Sequence, residues 1–351
     1  MSALDDRPTP YLLVDEDLLT ANVRELAGFA EAAGLALRPH AKTHKCAEIA
    51  RLQVEAGAVG LTVATVAEAE RFASAGFDDL FVAYPLWVDA AKGARLRALA
   101  GRATVAVGVD SVDGARALAA QCPGQRVLVE VDSGMHRSGV APGETGTVAV
   151  AADRAGLQVR GVFTFPGHSY APGVGALVAA QEAAALRAAA DDVRRHGVDV
   201  LVVSGGSTPS VRDTHADVLT EARPGVYVFG DAQQWELGTT VPERLALTCV
   251  ATVVSHAGGR VVLDSGSKVL GADRQQWATG FGRLLDHPGA RVSALSEHHA
   301  VVEWEGPGPL PSLGTRLRVV PNHVCTAVNL AEELVLANGT TWPVLARSAN
   351  T

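Results

Sequence analysis

Short apolar runs alternate with Ala-rich helical stretches through the first two thirds of this chain. That alternation restricts the fold more than any other feature. The strand-like runs are Leu35–Lys42, Gly60–Thr65, Asp79–Tyr84, Thr104–Asp110, Arg126–Asp132, Leu157–Phe165, Val200–Ser204 and Gly225–Gly230. Helical patterns fill the intervals at Cys46–Ala56, Val66–Ala75, Val88–Ala100, Ser111–Ala120, Thr145–Ala155 and Leu177–His196; the last interval, Ser207–Leu219, is short and only weakly helical. The runs are mostly continuous rather than alternating, which suits parallel strands covered on both faces. Eight such units in about 200 residues predict a (β/α)8 barrel of the TIM type. A doubly wound open sheet is the alternative. Polar clusters recur where runs end: Lys42-Thr43-His44, Asp132-Ser133-Gly134, His168-Ser169-Tyr170 and Gly205-Gly206-Ser207. They favour the barrel, whose enzymes place their sites on that face.

Before the first run, TPYLLVD (9–15) reads as a short strand, and Asp15 as the N-cap of a helix that ends near Gly34. After about Leu237 the pattern changes to short or alternating apolar segments separated by Gly, Pro and Asn-Gly, which predicts an antiparallel β domain. Asn338-Gly339 suits a two-residue hairpin turn. The expected division is a barrel over 9–237 and a β domain over 238–351, with residues 1–8 packing against the latter. Hydrophobic residues make up 48% of the chain, enough for a large core. The net charge of −8 argues against nucleic acid as a main partner. The four cysteines form no CxxC pair, the N-terminus has no apolar signal region, and no apolar window reaches the length of a membrane span. The expected compartment is a reducing cytoplasm, with no membrane partner.

Chemistry concentrates in six segments. In LALRPHAKTHK (35–45), Arg38, His40 and Lys42 alternate, so on a strand they share one face. Such a face is costly to bury unless something anionic lies against it. A lysine amine forms a Schiff base with a carbonyl when desolvation or a neighbouring cation depresses its pKa, and Arg38 and His40 could do that. The plainer reading is a solvated lysine at a strand–helix junction. SGGSTPS (204–210) offers Gly206, Ser207 and Thr208 to a phosphate, and RPGVYVFGD (223–231) offers the backbone donors of Gly225 and Val226. Phosphate sites in barrels lie after strands 7 and 8, where these segments fall. VDSGMHRSG (131–139) places Arg137 in a Gly-flanked loop, as a clamp for an anionic oxygen or as a surface residue. GHSY (167–170) brings His168 and Tyr170 to the next strand end. In PNHVC (321–325), His323 and Cys325 sit two apart on a predicted strand, an imidazole–thiolate pair suited to zinc, or a core cysteine beside a satisfied histidine. Glu297, His298 and His299 are a further metal candidate or a solvated loop.

Taken in order, RPHAKTHK, DSGMHRSG, SGGSTPS, RPGVYVFGD, LDSGSK (263–268) and PNHVC resemble the D-threonine aldolase/D-serine dehydratase family. That family lies within the alanine-racemase-like, fold type III, pyridoxal-phosphate enzymes. The resemblance implies a barrel followed by a β domain, a head-to-tail homodimer and bound pyridoxal 5'-phosphate. It makes Lys42 the Schiff-base lysine with His40 beside the cofactor. Arg137 becomes the partner of the cofactor's phenolic oxygen, and Tyr170 the tyrosine near the pyridine nitrogen. Gly206, Ser207, Thr208, Gly225 and Val226 become the phosphate cradle. His323 and Cys325 become the divalent-metal pair, with zinc preferred and manganese or magnesium as alternatives. The implied activity is a lyase acting on a small D-3-hydroxy amino acid. D-serine dehydration comes first and D-threonine aldol cleavage is the alternative. An amino-acid racemase, a non-catalytic carrier of the cofactor and an unrelated metal-dependent barrel hydrolase stand behind these.

Overall fold

A computed structural model describes Leu4, residues 6–304 and residues 308–351. The chain contacts gather into two compact units. One comprises Leu26–Lys42, Ala50–Gly225 and Ala349–Thr351; the other takes residues up to Glu25, Thr43–Ile49 and Val226–Ser348. Strand β1 (Tyr11–Val14) belongs to the latter and is described with it.

The first unit is a parallel barrel. Its strands are β2 (Ala36–Leu37), β3 (Leu61–Val63), β4 (Asp79–Pro85), β5 (Thr104–Val109), β6 (Arg126–Glu130), β7 (Gln158–Phe163), β8 (Val202–Gly205) and β9 (Glu221–Ala222). They pair in the order β2-β9-β8-β7-β6-β5-β4-β3. The ends close on each other: Val59 N donates to Leu37 O at 2.8 Å, Thr62 N to Pro39 O at 2.9 Å, and His40 bridges Thr62 in parallel. The expected barrel, not the open sheet, is therefore the fold. Helices α1 (Glu16–Ala33), α2 (Ala47–Glu55), α3 (Val66–Ser74), α4 (Ala90–Leu99), α5 (Val112–Gln121), α6 (Thr145–Arg154) and α7 (Gly175–Arg195) alternate with the strands. Their starts are chemically marked. Asp15, Thr65, Asp89 and Ser111 accept from Leu18, Glu68, Lys92 and Gly114 backbone amides at 2.8 to 3.1 Å. Gly34, at φ +70°, ends α1.

Three sequence expectations change here. The run Gly225–Gly230 is not a strand; its apolar residues form a 3-10 turn at Val226–Val228, and the eighth strand is the two-residue Glu221–Ala222. The first strand ends at Leu37, so Lys42 lies in a 3-10 turn, Ala41–Thr43, rather than on the strand. The interval 207–219 holds a single 3-10 turn, Val211–Asp213.

Polar side chains join strands inside the barrel unit. Arg38 Nε donates to Glu221 Oε2 at 2.7 Å, and its Nη1 to Asp79 Oδ1 at 2.6 Å. Ser204 Oγ donates to the other Glu221 oxygen at 2.7 Å and accepts from Arg223 Nε at 2.8 Å. The rings of Phe81 and Phe163 meet edge to face at 5.0 Å, and the Arg223 guanidinium lies within 5.5 Å of both centroids. The anionic partners that the Arg38 face requires are thus Glu221 and Asp79.

The second unit is a β-sheet domain. Its strands are β1, β10 (Leu247–Ser255), β11 (Val261–Leu263), β12 (Gly282–Leu284), β13 (Arg291–Leu295), β14 (Ala300–Glu303), β15 (Arg316–Pro321), β16 (Glu333–Leu336) and β17 (Thr341–Pro343). The order is β11-β14-β13-β12-β15-β10-β1-β16-β17, and β10 also pairs with β11. Most neighbours are antiparallel, but β1 pairs antiparallel with β10 and parallel with β16. The N-terminal strand, expected within a 9–237 barrel, is therefore a central strand of this sheet. Arg316 donates to the carbonyls of Leu4 and Arg7. The β16–β17 hairpin turns at Asn338-Gly339, with Gly339 at φ +87°. Short helices α8 (Ala232–Glu236), α9 (Ser267–Leu270) and α10 (Val324–Leu330) complete the unit. Among the described residues no helix is long and apolar enough to cross a membrane.

Arg38→Ala leaves the buried Glu221 carboxylate without its hydrogen-bonded cation. The expected loss is about 3 kcal/mol, read as a lower urea midpoint by circular dichroism.

Candidate active site

A cavity of about 500 Å3 opens at the C-terminal ends of the barrel strands. His40, Lys42, Tyr84, Asp110, Arg137, Phe165 and Arg223 are among the residues lining it. Lys42 reaches it from the turn after β2, with its backbone amide 3.5 Å from His40 Nδ1. Lys42 Nζ and Arg137 Cζ lie 5.4 and 5.3 Å from the centre of the Phe165 ring, both as cation–π contacts. Arg137 is carried by a loop folded around Asp132. One Asp132 oxygen accepts from Gly134 N and His136 N at 2.9 and 3.0 Å, and the other lies 2.7 Å from His136 Nδ1. Burial raises the Asp132 pKa, but these donors outweigh it and hold the carboxyl below its ordinary value. The bonds also hold His136 at φ +56°, an uncommon conformation for a side chain of that size. Lys42, Arg137 and Arg223 against Asp110 make the lining predominantly cationic, which suits an anionic occupant.

The neighbouring strand ends supply hydroxyls. Ser207 Oγ lies 2.7 Å from Ser169 Oγ and 2.8 Å from Ser210 Oγ. Thr208 Oγ1 is buried with no protein partner. Gly206 turns the chain at φ +77°, and a Cβ there would meet Ala222 at 3.4 Å. The Tyr170 ring lies 6.5 Å from that of Phe165. The structure therefore brings His40, Lys42 and Arg137 to one cavity. Tyr170, Gly206, Ser207 and Thr208 occupy the adjoining strand ends, and Gly225 and Val226 follow Arg223-Pro224. An orphaned hydroxyl beside a Gly turn and a cationic cavity fit an aldehyde cofactor bearing a phosphate.

The imidazole–thiolate pair is built differently from its expected form. Strand β15 stops at Pro321, His323 precedes α10, and Cys325 lies in the first turn of that helix. The two side chains nevertheless interact. His323 Nδ1 is 3.3 Å from Oδ2 of Asp231, which is fully buried. Asp231 Oδ1 caps α8 by accepting from Gln234 N at 2.8 Å, and Oδ2 accepts from Val324 N at 3.2 Å. Burial pulls the His323 imidazolium down, but Cys325 and Asp231 outweigh it and hold its pKa well above the ordinary histidine value. Cys325 Sγ is 3.3 Å from Oγ1 of Thr43, the residue that follows Lys42 in the chain. The Asp231 carboxylate lies on the Nδ1 side of the ring, although Nδ1 makes no hydrogen bond to it, and the ring would offer Nε2 to a metal. Among the described residues no three His, Cys, Asp or Glu side chains form a metal-binding group. Glu297 pairs with Lys268 at 2.8 Å, and Glu297, His298 and His299 are all exposed, as a solvated loop would be.

Sequence reasoning missed the groups behind these residues. Arg223 and Asp231 bound the quoted segment RPGVYVFGD but carried no assignment. Glu130 and Glu182 read as ordinary strand and helix carboxylates, yet both are buried and each leaves one oxygen without a partner.

Two family models match the chain. The alanine racemase N-terminal domain covers residues 14–233, and a putative serine dehydratase domain covers 246–337. The chain belongs to the alanine-racemase-like, fold type III, family of pyridoxal-phosphate enzymes, in its lyase branch. The D-threo-3-hydroxyaspartate dehydratase of Delftia sp. (strain HT23) is 34% identical over 349 residues, 90% of each chain. The D-threonine aldolase of an Arthrobacter species is 34% identical over 343 residues, 93% of this chain and 88% of that one. The crystal structure of D-threonine aldolase from Filomicrobium marinum superposes with a TM-score of 0.89 at 31% identity, over 99% of this chain and 97% of that one. A cysteine-to-alanine variant of a D-threo-3-hydroxyaspartate dehydratase, in the metal-free form, also scores 0.89 at 31% identity, over 98% of each chain.

Asp231→Ala removes the α8 cap and the acceptor for Val324 N together. We expect a loss of about 2 kcal/mol by urea unfolding of the metal-free protein, partly recovered in Asp231→Asn.

Proposed function

We propose that this chain is a pyridoxal-phosphate and divalent-metal lyase of D-3-hydroxy amino acids, and that its reaction is dehydration, with D-serine as substrate. The observation that carries the cofactor reading is the convergence of Lys42 and Arg137 over Phe165 in a cationic cavity. The cofactor supplies an electron sink conjugated to the substrate's α-carbon.

Lys42 Nζ would hold the cofactor's aldehyde carbon, and the same amine would serve as the base for the substrate's α-proton. Arg137 would hold the phenolic oxygen, on a loop whose bonds to Asp132 fix its course. His40 and Tyr170 would line the cofactor's ring. Ser207, Thr208 and the backbone amides at Gly206, Gly225 and Val226 would receive the phosphate.

His323 and Cys325 would hold the metal, with Asp231 beside the imidazole and Thr43 Oγ1 facing the thiol. An imidazole–thiolate pair selects zinc over the harder manganese or magnesium. A metal held there would supply a Lewis acid for the substrate's 3-hydroxyl. Loss of the α-proton and the 3-hydroxyl leaves an enamine that water converts to a keto acid and ammonia. The aldolase reading uses the same groups but breaks the Cα–Cβ bond, and the likeness to two D-threonine aldolases keeps it as the alternative.

Purified protein is incubated with D-serine, D-threonine and D-threo-3-hydroxyaspartate, with and without chelator. Keto acid and ammonia support dehydration; glycine and an aldehyde sink it in favour of aldol cleavage; an unchanged rate under exhaustive chelation removes the metal. Lys42→Ala should abolish the visible absorbance of the loaded protein and lower turnover by about 10²–10⁴-fold. Asp231→Asn should weaken zinc binding by about 10- to 100-fold, measured by competition with a chelating indicator.

A further inference from the structure

A buried carboxylate lies against the turn that ends β8. Glu182 belongs to α7 and is fully buried among Val178, Ala179, Ala183 and Leu186 of the same helix. Its Oε1 accepts from Gly206 N at 2.6 Å. The contact is close: a Cβ on Gly205 would fall 2.3 Å from the same oxygen. Its Oε2 is buried and has no partner. Nothing about apolar helix packing calls for a carboxylate here, and a charge left half-satisfied in such surroundings is costly.

The charged group that faces Glu182 is Arg223, from the segment after β9. Arg223 is shared: Glu221 and Glu130 face it as well, and Arg38 opposes it. The cation is therefore divided among several carboxylates rather than reserved for this one. Burial raises the Glu182 pKa to about 7 against the opposing pull of Gly206 N–H and Arg223.

We propose that Glu182 sets the phosphate-binding turn by anchoring Gly206 N–H, and that it takes up a proton when the turn receives a phosphate ester. The inference rests on the reading of Gly206, Ser207 and Thr208 as the phosphate cradle. An arriving phosphate carries close to two negative charges on the far side of a single turn of backbone from Glu182. Two anions across a thin, water-poor layer repel, and the one that can shed its charge by protonation does so. A neutral carboxyl keeps its carbonyl oxygen for Gly206 N–H, so the anchor survives while the repulsion goes. The proton comes from solvent, and uptake approaches one proton per phosphate only at pH well above 7, where the free carboxylate is charged.

The test uses full-length apoprotein and pyridoxine 5'-phosphate, which has the phosphate but no aldehyde, so that no lysine chemistry enters the titration. Affinity is measured by calorimetry at pH 6 and pH 8, in buffers of different ionisation heat, for the wild type, E182Q and E182A. The wild type should lose about tenfold more affinity than E182Q between the two pH values, since one unit above a pKa corresponds to a tenfold population ratio. At pH 8 the wild type should also take up more protons than E182Q on binding. E182A, which lacks the acceptor for Gly206, should bind weakly at both pH values. Equal pH dependence and equal proton uptake in wild type and E182Q overturn the proton linkage. E182A binding as tightly as E182Q overturns the anchoring role. Wild type that fails to bind at either pH overturns the phosphate-cradle reading itself. Should E182A not fold, the comparison with E182Q still decides the linkage.

Discussion

The hydrogen-bonded chain Asp79–Arg38–Glu221–Ser204–Arg223 is the constraint on which the barrel unit depends. The ladder of β2 and β9 is only two residues long on each strand, too little backbone pairing to hold a closed sheet alone. The Arg38–Glu221 pair ties those two strands through their side chains at the place where the ladder is shortest. Ser204 extends the tie to β8, and Arg223 carries it to the cavity. A buried network of this kind is not a cheap source of stability, because desolvation offsets most of the attraction. Its better-supported effect is positional. Each group has few alternative partners inside the barrel, so the strand ends that carry Lys42 and Arg223 are held in one arrangement.

This dependence explains what could and could not be read from sequence. Strands with long apolar runs, such as Asp79–Pro85 and Thr104–Val109, were legible because burial on both faces leaves a continuous hydrophobic signal. The eighth strand was not, because Glu221–Ala222 is only two residues long and begins with a charged residue whose carboxylate is held by Arg38 and Ser204. The apolar run just after it, at Val226–Val228, carried the stronger signal and drew the strand assignment to the wrong residues. The strand Tyr11–Val14 was legible as a strand but not by its place, since its partners on β10 and β16 lie more than 200 residues away. Spacing put His323 and Cys325 together, though through the start of a helix rather than along a strand.

The candidate site divides along the same line. Residues in motifs with a visible chemical purpose, Lys42, Arg137 and the Gly206-Ser207-Thr208 turn, stood out because cations and glycines at strand ends are locally unusual. The supporting carboxylates did not. Glu182 sits in a helix whose sequence is otherwise a plain Ala-rich amphipathic pattern, and one glutamate on such a helix reads as solvent-facing. Asp231 carried no assignment; it caps α8, and that the same side chain also faces His323 is a tertiary fact with no local mark.

The buried carboxylates differ in a way that separates structure from chemistry. Both oxygens of Glu221 are bonded, one to Arg38 and one to Ser204. Glu130 and Glu182 each leave an oxygen bare, and burial raises the pKa of both. A fully bonded carboxylate resists protonation because a proton would displace a donor, so it serves as a fixed strut. A half-bonded one has an open oxygen on which a proton can sit at little cost to its neighbours. Glu130 faces Arg137 and Arg223, both of which line the cavity, and Glu182 holds the turn at Gly206. The barrel thus keeps its satisfied carboxylate where strands must be joined and its unsatisfied ones beside the groups assigned to the cofactor. There, a change of one unit charge alters how strongly an anion is held without disturbing the strand pairing beneath it.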